Sequence, residues 1–243
     1  MNRHLVVLGT VALALVVFFV GRSMVDQPAP PSLVKVEPVN NSESTAAASE
    51  ASTATGETAT PKQQAPAGTA LIRPYSPILG PKNAPVTVVE FFDPACEACR
   101  AMHPTITEIR KQHPEKVRII MRYAAFHDGS DIAVRILETA RLQGVFEPVL
   151  IALLETQPQW ANHSGSRLDI AWKAAEVAGL DVEKARQQMN SPDINNVLAQ
   201  DAADIETINV RQTPTFFVDG LPLLEFGSEQ LMKMVSNRVE FTN

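Results

Sequence analysis

The chain has 243 residues, enough for one large domain or two small ones, and its 45% hydrophobic and 20% charged residues are ordinary for a globular protein. A formal net charge of −6 provides no basic surface, so we expect no nucleic-acid partner. Two cysteines cannot form the disulfide framework of a small secreted fold. Cys96 and Cys99 are therefore expected to have a reactive role rather than a structural one.

The first segment of the chain predicts export. An apolar run extends from Leu5 to Val20 after Arg3, long for a signal-peptide core and slightly short for a spanning helix. No small-x-small cleavage site follows directly, so we interpret residues 1–22 as a signal anchor, with residues 5–21 in the inner membrane. A cleaved signal peptide that releases a secreted protein is the alternative. Both place the body of the protein in the periplasm or another extracytoplasmic compartment.

Residues 23–74 are predicted to be a low-complexity linker. They are rich in Ala, Ser, Thr, Pro and Gln, and the stretch from Asn41 to Ala70 contains no Val, Ile, Leu, Phe, Trp or Tyr. Such a segment cannot bury enough apolar surface to offset the entropy of ordering. We therefore expect a disordered tether between the membrane helix and a folded domain at residues 75–243.

The folded domain begins with a strand–helix–strand pattern. The run from Val86 to Phe92 suits a strand covered on both faces, Cys96 to Gln112 is predicted to be a helix, and Val117 to Arg122 a second strand. Strand, helix and strand in this order form a βαβ unit with parallel pairing.

A helical block and a hairpin complete the domain. Residues 130–209 are predicted to be helical throughout, with Ser166 and Asp169 as a capping box for a helix at residues 168–178, and with a later helix that begins after Ser191. Asp219-Gly220 predicts a hairpin between strands at 215–218 and 221–225. Ser228 is expected to cap a last helix at 229–238.

The sequence Cys96-Glu97-Ala98-Cys99 is the motif of the chain that is expected to be reactive. It follows a strand and opens a helix, where free N–H groups and the helix dipole favour a thiolate over a thiol. Cys96, at the exposed start of the helix, is expected to be the nucleophile. Cys99, one turn later, is expected to be the buried resolving thiol that releases a mixed disulfide. Copper(I) binding by both thiolates, with Met102 or His103 nearby, is the alternative use of the pair.

From about residue 75 onward the chain resembles the DsbA-like branch of the thioredoxin superfamily. The resemblance rests on the CxxC after a strand, on Glu90 at the position of the family's buried acid, on Pro104 in the active-site helix, and on Thr213-Pro214 before a strand. The block at 130–209 fills the long separation between the cysteines and Pro214, as the inserted helical domain does in this branch. The resemblance thus implies an α/β thioredoxin-like fold with an inserted all-helical subdomain.

The resemblance also implies roles for individual residues. Pro214 is expected in the cis form opposite the cysteines, with Thr213 free to pair with a substrate segment beside Glu97 and Ala98. Glu90, if buried, becomes a candidate proton shuttle for Cys99. His127 is expected to be a loop residue with no catalytic role, and His103 to be exposed on the active-site helix.

The implied activity is that of a thiol–disulfide oxidoreductase for exported proteins, with the Cys96–Cys99 disulfide as its redox group and with no other cofactor or metal. Strongly oxidising members carry Pro-His between the cysteines, whereas this chain has Glu97-Ala98. A carboxylate next to Cys96 opposes its thiolate, so we expect a weak oxidase or an isomerase- or reductase-like protein. The expected partners are exported thiols or disulfides and a membrane redox protein, and the chain is expected to be monomeric.

Overall fold

The computed structural model describes residues 68–162 and 165–242. The predicted anchor at 1–22 and nearly all of the predicted linker lie outside these residues. Within the two described ranges, no helix is both long enough and apolar enough to cross a lipid bilayer.

A five-stranded mixed sheet forms the centre of the fold. Its strands are β1 (Ile78–Leu79), β2 (Val86–Phe92), β3 (Val117–Tyr123), β6 (Thr215–Val218) and β7 (Leu221–Pro222), in the order β1-β3-β2-β6-β7. β2 pairs with β3 in parallel and with β6 antiparallel. The predicted βαβ unit is therefore confirmed, and β2 is the central strand.

Helices cover both faces of this sheet, which explains why β2 is apolar along its whole length. α2 (Glu97–Gln112) and α8 (Ser228–Glu240) pack on one face, and α1 (Gly68–Leu71) and α7 (Pro192–Ile208) on the other. All seven residues of β2 are buried. A strand buried on both faces is expected to be a continuous apolar run, and Glu90 is the exception in it.

The block after β3 forms the predicted insert. It contains α3 (Ser130–Leu142), α4 (Phe146–Trp160), α5 (Leu168–Val177), α6 (Val182–Gln188) and α7. The expectation that it is all helical is wrong at one place, because β4 (Ala161–Asn162) and β5 (Gly165–Ser166) form a small antiparallel hairpin between α4 and α5. Two-residue strands are too short to show an alternating pattern in the sequence.

Two predicted helix caps are also wrong. Ser166 belongs to β5, and α5 begins after Arg167, which makes no side-chain cap. Ser228 is the first residue of α8 rather than its cap, and its hydroxyl is paired with that of Thr105 instead. The cap predicted at Ser191 is confirmed, since its hydroxyl accepts from the amide of Ile194. The second hairpin strand ends at Pro222, three residues earlier than predicted.

Candidate active site

The two cysteines lie at the start of α2, directly after the central strand. Cys96 is the N-cap of the helix, and its amide donates to the carbonyl oxygen of Asp93 across 3.1 Å. Both cysteines are free thiols; Cys96 is 6% exposed and Cys99 is fully buried. Cys96 is nearer to solvent than Cys99, as predicted, but it is buried rather than exposed.

The loop before β6 faces Cys96. The Thr213–Pro214 peptide bond is cis, and the sulfur of Cys96 lies 3.3 Å from the carbonyl oxygen of Thr213. Only the thiol form of Cys96 can donate to that carbonyl. Cys96 thus lies next to Thr213 and Pro214, as expected, although more than a hundred residues separate them in the chain.

The surroundings of Cys96 favour its thiolate. A hydrogen bond from Cys99 lowers the pKa of Cys96 most, from an ordinary value of 9.0 to about 5, against the opposing effect of burial. The side chain of Thr213 and the backbone amides of Ala98 and Cys99 contribute further hydrogen bonds in the same direction. The amides are unpaired donors of the first helical turn, as the position of the motif predicts. Glu97, exposed at the start of α2, does not prevent this lowering.

Cys99 has the opposite character. Burial first, then its hydrogen bond to Cys96 and the nearby charge of Glu90, raise the pKa of Cys99 far above its ordinary value. The amide of Asp93 donates to its sulfur across 3.4 Å. The two thiols of one motif therefore differ in protonation at neutral pH, with a thiolate on the outer one and a thiol on the inner one.

Glu90 lies in the middle of β2 and is 2% exposed. Burial, with a smaller effect from the charge of Cys96, raises the pKa of Glu90 from 4.5 to about 8. Glu90 is therefore not a solvent-facing residue but a buried one in the central strand. The position and the protonation range of Glu90 suit a group that exchanges a proton with Cys99.

Asp93 is a site residue that the sequence analysis missed. It is fully buried between β2 and the cysteines, and its carboxylate accepts hydrogen bonds from the amides of Ala95, Phe126 and His127 at 2.8 to 3.0 Å and from the hydroxyl of Ser130. The side chain thereby ties the active-site turn to the loop between β3 and α3. The one signal for it in the sequence is an acid that ends an apolar strand three residues before Cys96.

Gln157 of α4 is a second missed residue. Its buried amide donates to the carbonyl oxygens of Pro94 and Cys96, at 2.7 and 3.0 Å, and accepts from Arg100 of α2. Through this side chain the insert holds the backbone on both sides of the active-site turn. Its position in the last turn of α4 gives no sequence signal for this contact.

A cavity of about 770 Å³ opens beside the cysteines. It is lined by the turn and first residues of α2 (Ala95, Cys96, Glu97, Ala98), by His127 and Asp128, and by the β4–β5 hairpin (Ala161, Asn162, Gly165). The hairpin that breaks the helical insert therefore forms one wall of the space in front of Cys96. Glu97 and Ala98 lie at this cavity, where a substrate segment was expected.

The residues named for copper(I) binding are arranged less favourably. Met102 is 4% exposed, in the core, and its sulfur lies 3.4 Å from the hydroxyl of Ser228. His103 is half-buried, and burial lowers its pKa. Among the described residues, no group of three or more His, Cys, Asp or Glu side chains is placed to hold a metal ion. Copper(I) binding by the cysteine pair stays an untested alternative.

Comparison with known proteins identifies the family of the chain. The family model described as thioredoxin matches residues 73–236. The Na⁺/H⁺ antiporter NhaA of Herminiimonas arsenicoxydans is 32% identical over 143 residues, 59% of this chain but only 22% of the antiporter. A putative protein-disulfide oxidoreductase of Rickettsia prowazekii is 26% identical over 67% of this chain and 61% of that protein. The chain thus spans less than two thirds of these relatives, and the antiporter match concerns a minor part of that protein.

Solved structures share the fold over nearly their whole length. A thioredoxin-like oxidoreductase from Silicibacter pomeroyi is 28% identical, with a TM-score of 0.62 over 71% of this chain and 96% of that one. α-DsbA1 of Wolbachia pipientis, 16% identical, has the same fold with a TM-score of 0.60 over 71% of this chain and 96% of that one. The chain therefore belongs to the thioredoxin family, whose model covers more than half of its length.

Proposed function

We propose that the chain catalyses thiol–disulfide exchange on exported proteins, with Cys96 as the nucleophile and Cys99 as the resolving thiol. The observation that carries the proposal is the asymmetry of the pair. Cys96 lies at a helix start beside an open cavity with its pKa lowered to about 5, while Cys99 is fully buried with its pKa raised. An attacking thiol must be ionised and accessible, and a resolving thiol must be close and protected.

The pair supports exchange in both directions. In reduction, the Cys96 thiolate attacks a substrate disulfide and expels one substrate thiolate. Cys99 then loses its proton and attacks the sulfur of Cys96, which releases the second substrate thiolate and leaves the Cys96–Cys99 disulfide. In oxidation the same steps run backwards, so that two electrons pass from a substrate dithiol to the disulfide of the enzyme.

Glu90 is the proposed proton acceptor for Cys99. The charge of Glu90 is among the causes that raise the pKa of Cys99, so the two groups interact in the interior. With a pKa raised to about 8, Glu90 holds a proton at neutral pH and can both accept and return one near that pH. Resolution by Cys99 is then expected to accelerate as pH rises through about 8.

The substrate side is proposed to include Thr213 and the cavity in front of Cys96. The carbonyl oxygen of Thr213 lies 3.3 Å from the sulfur of Cys96, so an extended substrate segment can pair with the Thr213 backbone at this point. Glu97 and Ala98 line the cavity beside this position. The residues flanking the substrate cysteine would enter the cavity from there.

An intermediate oxidising strength follows from the proposal. A stabilised thiolate favours the reduced enzyme and so makes its disulfide more oxidising. The pKa of Cys96, about 5, lies between about 7 for thioredoxin and about 3.5 for DsbA. We therefore propose a weaker oxidase than DsbA, in agreement with the effect expected for Glu97.

The proposed setting is extracytoplasmic. The apolar run at residues 5–21 supports an inner-membrane anchor, and the low-complexity stretch that follows supports a tether. Exported proteins would be the substrates, a membrane protein would restore the redox state of the cysteines, and the tethered domain would act as a monomer.

A trapping experiment in cells tests the function. Cys99→Ala removes the resolving thiol, so clients should remain bound to Cys96 as mixed disulfides that appear on non-reducing gels and are identified by mass spectrometry. The double variant Cys96→Ala/Cys99→Ala is the control and should trap nothing. Absence of trapped clients in the single variant, together with tight copper(I) binding by the wild type, would replace this proposal with the copper alternative.

A further inference from the structure

The cavity wall contains a titratable side chain to which the proposed function assigns no role. His127 lies in the loop between β3 and α3, lines the cavity together with Cys96, and is 50% exposed. The sequence alone gives it no role, because a histidine in Phe-His-Asp-Gly is typical of an ordinary surface loop. Its contacts in the fold are not those of such a loop.

Asp93 fixes the position of His127. Oδ2 of Asp93 accepts from the His127 backbone amide across 3.0 Å and lies 2.7 Å from Nδ1 of the same residue. The other contacts of this buried carboxylate are also donors, so it is an acceptor only and fixes a proton on Nδ1. That leaves Nε2 of a half-exposed ring to take up the second proton that makes the imidazole positive.

The other charges around the cavity suggest a role for a positively charged His127. Among the described residues that line the cavity, His127 is the one side chain that can become positive, whereas Glu97 and Asp128 are carboxylates. Partial burial opposes the charge, but the hydrogen bond that His127 donates to Asp93 and the charges of Asp93 and Cys96 together raise the pKa of His127 above its ordinary value. The charged groups that act on the ring are thus Asp93 and Cys96, and the carboxylates of Glu97 and Asp128 line the same cavity.

We infer that His127, held by Asp93, is a positioning residue whose imidazolium stabilises the Cys96 thiolate across the cavity. It takes the place of a histidine between the two cysteines, where this chain has Glu97 and Ala98. When Cys96 leaves a mixed disulfide as a thiolate, the new negative charge develops opposite a positive charge already in place. The inference rests on the proposed function only in taking Cys96 as the reacting thiol.

The coupling must be reciprocal. If the proton on His127 lowers the pKa of Cys96 by some amount, the Cys96 thiolate raises the pKa of His127 by the same amount. In the disulfide form Cys96 carries no charge. The pKa of His127 is therefore higher in the reduced than in the oxidised protein, and this redox dependence would not arise from a histidine that only holds the loop.

The first test is an NMR titration of the His127 ring in the reduced and oxidised wild type. The expected midpoint is higher in the reduced protein by about half a unit, less than the roughly 1–3 units produced by a directly contacting opposite charge. The midpoint of His113, at the far end of α2, should not depend on redox state. Equal midpoints for His127 in the two states would overturn the inference, and the result does not depend on whether any client is trapped in cells.

The second test neutralises the ring. His127→Gln keeps a donor for Asp93 but loses the charge, and the thiolate absorbance at 240 nm should then titrate about half a unit higher than in the wild type. The equilibrium constant with glutathione should change about threefold in favour of the disulfide form. This factor is the shift of about half a pKa unit converted to an equilibrium constant. His113→Gln is the matched control and should change neither. An unchanged Cys96 midpoint in a folded His127→Gln protein would also overturn the inference.

Discussion

The carboxylate of Asp93 lies 2.7 Å from Nδ1 of His127. The amide of the same aspartate donates to the sulfur of Cys99. One buried residue thus contacts the resolving thiol through its backbone and the cavity wall through its side chain. In the sequence, the site is marked by its two cysteines. In the fold, these cysteines belong to a hydrogen-bond network that joins β2, α2 and the loop before α3.

Asp93→Ala should be strongly destabilising. It leaves three backbone amides and the Ser130 hydroxyl without their acceptor, and each unsatisfied buried donor costs about 1–3 kcal/mol. We expect the free energy of unfolding in urea to fall by at least about 3 kcal/mol. Ser130→Ala removes a single donor and should cost about 1 kcal/mol. A loss for Asp93→Ala no larger than that of Ser130→Ala would contradict the network.

Glu90→Gln should change how stability depends on pH. The folded pKa of Glu90, about 8, lies above its ordinary 4.5, so between these values the folded protein holds a proton that the unfolded chain releases. Stability therefore falls as pH rises through this window, and the glutamine variant should lose that decline.

Urea unfolding of the oxidised protein at several pH values measures the effect of Glu90, since the cysteines do not titrate in the disulfide form. Glu97→Gln, at an exposed position, should keep the wild-type dependence on pH. If Glu90→Gln keeps it as well, the carboxyl of Glu90 is not held protonated in the folded protein.

Glu97→His should make the enzyme more oxidising. The change removes a carboxylate next to Cys96 and introduces a group that can be positive, so the Cys96 thiolate is favoured further. The midpoint of the 240 nm absorbance should fall below about 5, and the glutathione equilibrium should move toward the dithiol form. Glu97→Gln separates loss of the negative charge from gain of the positive one and should have an intermediate effect. No shift in either variant would mean that this position does not set the redox equilibrium.

Arg122→Leu should destabilise the packing of α7 and the N-terminal segment against the sheet. Arg122 is fully buried, makes ion pairs with Asp201 and Asp204 of α7 at 2.7 and 2.6 Å, and donates to the carbonyl oxygens of Ala70 and Leu71. Its loss leaves two carboxylates near the core without this partner, and we expect a cost of about 3–5 kcal/mol in urea unfolding.

The control for Arg122 is Lys111→Ala, which breaks an exposed pair with Glu108 and should change stability by less than about 0.5 kcal/mol. Similar small losses in both variants would show that Arg122 does not hold α7 and the N-terminal segment to the sheet.

The features that the sequence predicts well are local. The apolar run of β2, the helix that begins at the cysteines and the helix start at Ser191 each follow from a few adjacent residues. Glu90 and Pro214 are predicted through the resemblance to a known family, and both lie in the fold where that resemblance implies.

The features that it misses depend on partners distant in the chain. Asp93 looks like a turn residue before a proline until the loop at Phe126 and His127 is placed against it. Gln157 contacts Cys96 only because the insert folds back over the active-site turn. Neither contact leaves a periodic pattern, and the same holds for the short β4–β5 hairpin in the cavity wall.

Site-resolved alkylation of the reduced protein tests the central claim, that Cys96 attacks and Cys99 resolves. Native protein is treated briefly with iodoacetamide at pH values from 3.5 to 8, and each modified cysteine is quantified by peptide mass spectrometry. The account predicts modification of Cys96 alone, with a rate that rises to half of its plateau near pH 5, where the pKa of its thiol lies. Comparable modification of Cys99, or a Cys96 rate that rises only near pH 9 as for an ordinary thiol, would contradict it.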